Sequence, residues 1–145
     1  MQLKRDTDFA IRILFCLNLN HAADDPAIRK GVTISEIAVQ TGTPKLVAGR
    51  VCESLKEKGM IYLIDEPFAT EKAYYSTEEL LNYSLLDVIE AVEGTGEIFA
   101  VFDKRSEAYK KCEEQILKIQ KKTERLLAKA TLGSLFETQV RNYNK

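Results

Sequence analysis

The segment "TISEIAVQTGTPKLVAGRVCESLKEKG", residues 33–59, decides the fold. Thr33 or Ser35 can cap a short helix, Glu36 stands three residues after Thr33 as a capping box requires, and Gly42 can close it. A longer helix follows at once. Thr43 is its expected N-cap, Pro44 takes the first helical position, where a missing N–H costs nothing, and Gly59 is the stop. Leu46, Val47, Val51 and Leu55 form the expected buried stripe, leaving Lys45, Gly49, Arg50, Glu53 and Lys56 on the other faces. A short helix, a glycine turn and a longer helix with a basic outer side have the form of a helix-turn-helix, whose second helix lies in the DNA major groove.

Downstream, "MIYLI" (60–64) and "AYYST" (73–77) read as two strands around "DEPFATEK" (65–72), an antiparallel ribbon in the position of a wing. On this geometry Thr43 and the backbone N–H groups of the helix start can meet a phosphate. Lys45 can neutralise one, and Arg50 is long enough for bidentate contact with a guanine edge. Gly49 admits close approach of the duplex, although glycine inside a helix costs roughly 1 kcal/mol against alanine. The candidate DNA contacts are therefore Thr33, Thr43, Pro44, Lys45, Gly49, Arg50 and Lys56. Asp65, Glu66 and Glu71, set against Lys72 alone, would repel phosphate, so this wing is expected to add little affinity.

Upstream, "TDFAIRILFCLNLN" (7–20) predicts a helix capped by Thr7 or Asp8, with Cys16 on its apolar face, and "HAADDPAIRKGV" (21–32) a loop. Beyond the ribbon, "SLLDVIEAVEG" (84–94) starts at a Ser84–Asp87 capping box and ends at Gly94, with a loop over 95–105. From 106 to 130, Tyr109, Cys112, Ile116, Ile119, Thr123, Leu126 and Ala130 recur at spacings of three and four. That is a heptad seam on a helix charged around most of its remaining circumference, which points to dimerisation. "TLGSLFETQVRN" (131–142) is a short closing helix with Leu132, Leu135 and Phe136 inward. The expected class is mainly α: a winged helix-turn-helix with a two-stranded wing over residues 1–83, and a helical dimerisation arm over 84–145.

Charge is segregated. Nine Lys and Arg stand against seven Asp and Glu in residues 1–60, one against ten in 61–103, and eleven against five in 104–145, so the net charge of −1 describes no part of the chain. Nucleic-acid binding would have to come from local geometry. The absence of any run of eighteen apolar residues argues against a membrane span, and the charges of Asp6, Asp8 and Arg12 argue against a signal peptide. Cys16, Cys52 and Cys112 have no close spacing and make no disulfide framework, which suits a reducing cytoplasm. His21 is the one histidine, and neither a glycine-rich phosphate loop nor a cleft pattern of paired carboxylates is present, so no enzymatic role is expected.

The chain resembles the Rrf-two family of bacterial transcription regulators, which includes iron–sulfur-cluster, nitric-oxide-sensing and cysteine-metabolism regulators. "TDFAIRILFCL" is similar to the family's opening helix, residues 33–61 to its helix-turn-helix, "SLLDVIEAVEG" to its segment after the wing and "TLGSL" to its closing motif. The resemblance implies a cytoplasmic homodimeric repressor on a near-palindromic operator of double-stranded DNA, with a small molecule or protein as effector. Two departures stand out. The ribbon lacks the family's glycine-rich turn, and where cluster-binding members carry three cysteines, "TGEIFAVFDKRSEAYKKCEEQ" (95–115) holds only Cys112.

An iron–sulfur cluster is normally held by four protein ligands, so no cluster, and no metal, is expected here. Cys112 then reads as a small residue packed in the seam, or as a sensor thiol activated by Lys110 and Lys111. The alternative to DNA binding is a winged-helix module that docks on a partner protein through the acidic middle segment.

Overall fold

The computed structural model describes residues 5–21, 31–64, 67–94 and 110–143. Helix α1 (Arg5–His21) sends Phe9, Ala10, Ile13, Leu14, Cys16 and Leu17 into the core. Thr7 does not cap it. The residue is 1% exposed inside the helix, and its hydroxyl donates to Glu93 Oε1 at 3.2 Å, tying the helix to a later one.

Strand β1 (Val32–Thr33) leads directly into α2 (Ile34–Thr41). Thr33 Oγ1 accepts the Glu36 N–H at 3.2 Å, as the sequence predicts, and Gly42 closes the helix at φ +67°, the left-handed region a side chain would strain. Helix α3 (Lys45–Glu57) starts one residue later than expected: Pro44 is the N-cap, and its C=O accepts the Ala48 N–H at 2.9 Å. Its buried face is Ala48, Val51, Cys52 and Leu55. Leu46, expected on that face, is 91% exposed.

Strands β2 (Ile61–Ile64) and β3 (Ala73–Ser76) pair antiparallel, Ile61 opposite Ser76 and Ile64 opposite Ala73. The sheet has three strands in the order β1–β3–β2, not two, because Val32 and Thr33 pair with Tyr74 and Ala73. A two-residue strand has no alternation to detect in sequence, yet it fastens the start of α2 to the wing.

A single 3₁₀ turn (Leu80–Asn82) precedes α4 (Leu85–Glu93), whose Ser84–Asp87 capping box is complete: Asp87 N–H to Ser84 Oγ at 3.1 Å and Ser84 N–H to Asp87 Oδ2 at 2.8 Å. Helix α5 (Lys110–Lys129) lies against α4 and passes into α6 (Leu132–Tyr143). Backbone bonds from Leu85 N–H to Ala130 C=O and from Leu132 N–H to Tyr83 C=O, both 2.8 Å, clamp that junction to the start of α4. Gly133 packs closely there: a Cβ would stand 3.1 Å from the Leu81 carbonyl oxygen, tighter than most such contacts. Leu132 and Phe136 are buried as expected, and the Phe136 ring packs on Phe15 of α1 with centroids 5.3 Å apart. One core thus runs from α1 through Met60, Ile61, Tyr74 and Val88 to α6. Among the described residues, no helix is long and apolar enough to cross a membrane.

Candidate nucleic-acid interface

Successive residues of an α-helix turn by about 100°, so a core face built on positions 48, 51, 52 and 55 leaves 46, 49, 50 and 53 opposite it. The outward start of α3 accordingly presents Lys45, Leu46, Gly49 and Arg50, with Gly49 half-exposed and the other three exposed. Apart from the helix's own backbone, none of the described residues lies within 4 Å of where a Gly49 Cβ would stand. The two cations are held sideways. Lys45 Nζ is 3.2 Å from Glu71 Oε1, and Arg50 Nη2 bonds both oxygens of Asp6 at 3.0 and 2.9 Å. Both contacts to Asp6 run through Nη2, so Nη1 and Nε of the guanidinium fork are not used by it.

Glu71, expected to repel phosphate from the wing, instead turns toward the helix-turn-helix. Its carboxylate accepts the Ser35 hydroxyl, and that bond, followed by Lys45, holds its carboxyl below the usual range. Asp65 and Glu66 lie outside the described residues. A second carboxylate, Glu53 of α3 itself, ties the helix to the sheet: it accepts the Tyr74 hydroxyl at 2.7 Å and pairs with Lys56 at 2.9 Å. The Lys56 hydrogen bond, then that of Tyr74, keeps the Glu53 carboxyl below its ordinary value, while burial and Glu53 push the Tyr74 phenol up.

The remaining candidates divide. Thr33 spends its hydroxyl on the α2 cap. Thr43 does not face outward as expected: it is 3% exposed, and its oxygen lies 2.7 Å from that of Thr41. The Thr41 hydroxyl donates to the Ile37 C=O at 2.7 Å, so Thr43 donates to Thr41 and locks the turn. Pro44 is exposed and offers no side-chain cap, which leaves the first-turn N–H groups of α3 pointing outward at a helix N-terminus. Lys56 is engaged with Glu53 near the end of α3. Leu46 was missed as an outward residue. Val51 and Leu55 fit two phases of the wheel, one that buries Leu46 and one that buries Ala48, and packing chose the second.

On α5 the seam splits into two edges. Gln120 is buried and Ile116, Thr123 and Leu127 are half-buried on one side. Cys112, Ile119 at 54% and Leu126 at 70% are exposed on the other, and Tyr109 lies outside the described residues. Cys112 is therefore not covered by its own chain. Cys16 and Cys52 are in the core. Cys16 Sγ donates to Gln40 Oε1 at 3.0 Å, and burial pushes the Cys52 thiol up to about 12.

No protein-family model and no curated protein sequence matches the chain. Solved structures do. The global cysteine regulator CymR of B. subtilis superposes with a TM-score of 0.71 at 16% identity, covering 95% of this chain and 98% of its own. IscR of T. potens gives 0.70 at 14% identity, over 96% and 88%. Staphylococcus aureus CymR gives 0.69 at 15% identity, over 92% and 97%. At these identities the likeness is one of fold, and it extends through α5 and α6 as well as the winged helix.

Proposed function

We propose that this chain is a sequence-specific DNA-binding transcription regulator of the Rrf-two type, a repressor that acts as a homodimer on an inverted repeat. The observation that carries it is the outward start of α3, where a helix N-terminus, two long cations and a bare glycine share one face. The fold shared with CymR and IscR supports the same reading. In the complex α3 enters the major groove, Lys45 exchanges Glu71 for phosphate, and Arg50 turns its unused donors to a guanine edge. The exposed edge of α5 meets its copy and sets two α3 helices about 34 Å apart, one turn of DNA.

The reading carries no iron–sulfur cluster, because a cluster takes four protein ligands and residues 95–115 supply only Cys112. Cys16 and Cys52 are packed in the core and Cys112 lies on the outside of α5, so the cysteines of one chain do not converge on a common point.

One observation favours the competing module that docks on protein: Lys45 and Arg50 are already paired with carboxylates. Exposed pairs are worth only about 0–1 kcal/mol, however, so phosphate displaces them at little cost. Retention of a random duplex library at about 50 and 200 mM salt tests the choice. A regulator selects sequences that survive competitor DNA, with affinity falling steeply as salt rises. A docking module retains none.

A further inference from the structure

Leu46 sits at the centre of the outward face of α3, opposite the buried face, with Lys45 and Gly49 to one side and Arg50 to the other. At 91% exposed it contributes nothing to the core, and a single exposed leucine would be unremarked elsewhere. Its neighbours give it meaning. Gly49, three residues on, carries the helix-interior penalty of glycine although no described residue beyond the helix's own backbone would touch a side chain there. The described fold leaves that bare surface open to something outside it.

An occupant must be apolar over a small area and flanked by negative charge. The outward face of α3 does not suit a protein partner, because a stable protein interface buries about 800 Å² per side, and on this helix one exposed leucine stands between two cations. A duplex does fit. In the major groove the thymine C5-methyl is the apolar group, and the other base edges present donors or acceptors that a leucine would strip of water without replacing. We infer that Leu46, set beside the open surface of Gly49, makes an apolar contact with the methyl group of one thymine in each half-site. Leu46 and Arg50 are one helical turn apart, about 5–6 Å between Cβ atoms, so that thymine lies within about two base pairs of the guanine met by Arg50.

This contact rests on the DNA-binding reading, and one experiment separates their fates. The best duplex selected by the full-length protein is resynthesised with each thymine replaced in turn by deoxyuridine, which removes the methyl and keeps the pairing. Wild-type protein loses about fourfold in affinity per half-site at one position, the effect of burying one methyl. Leu46→Ala binds the selected duplex more weakly, melts with the wild type and no longer distinguishes thymine from deoxyuridine there. A selected duplex whose thymines are all replaceable overturns the contact alone. So does a Leu46→Ala protein that keeps the same penalty. A library from which no sequence emerges removes the DNA reading and the contact together.

Discussion

Two outward cations of α3 have carboxylate partners, and the partners differ in kind. Asp6 comes from α1 and grips one nitrogen of Arg50 through both oxygens, which orients the guanidinium while its other donors stay usable. Glu71 comes from the wing and lies 3.2 Å from Lys45, so in the proposed complex it would compete with phosphate for that cation. Removal of each side chain therefore has a distinct outcome. Arg50→Ala should lower operator affinity by about 1–3 kcal/mol and relax preference at one base pair. Glu71→Gln should raise affinity severalfold on operator and random duplex alike, leaving preference unchanged. Fluorescence anisotropy on both duplexes checks the pair, and a Glu71→Gln gain confined to the operator would contradict the role given to Lys45. At this scale sequence reading was weakest. Thr43 and Leu46 changed places, the polar residue going inside and the apolar one outside, because the Thr41–Thr43 hydroxyl pair satisfies the first and α3 packs through the small Ala48 and Cys52.

Helix α3 and the sheet behave as one braced unit. Tyr74, paired with β1 and β2 through its backbone, reaches Glu53 on α3, and Lys56 completes the chain of contacts. Because the Glu53 carboxyl is depressed in the fold, its contribution to stability is full above the unfolded value near pH 4.3, and it is lost as pH falls through the folded value. The melting temperature should thus decline on the acid side, and Glu53→Gln should make that limb shallower while lowering the plateau slightly at neutral pH. Thermal melts from pH 7 to pH 3 measure both. An acid limb of unchanged slope would show that the brace does not couple α3 to the wing. The helices themselves were legible from their punctuation, Thr33 and Gly42 around α2 and Ser84, Asp87 and Gly94 around α4, since caps act within a single turn.

Across the molecule, α5 is half inside and half out. Its Ile116, Gln120 and Thr123 edge leans on its own chain, and its Cys112, Ile119 and Leu126 edge is exposed, the edge that the proposed dimer would use. Leu126→Asp should give a monomer by sedimentation velocity with helical circular dichroism retained, and operator affinity should fall with it, since two half-sites are then bound independently. A variant that still sediments as a dimer would move the interface elsewhere.

By itself the amino-acid sequence determined the helices, the turn between α2 and α3, the two long strands of the wing and the heptad spacing of α5. All of these depend on contacts within three or four residues, or on simple alternation along a strand. The tertiary structure alone decided the third strand, the outward turn of Leu46, the burial of Thr43, and the ion pairs of Lys45 and Arg50, the second of which joins residues 44 apart. Those features depend on which surfaces meet when distant segments pack, and no local pattern encodes that meeting.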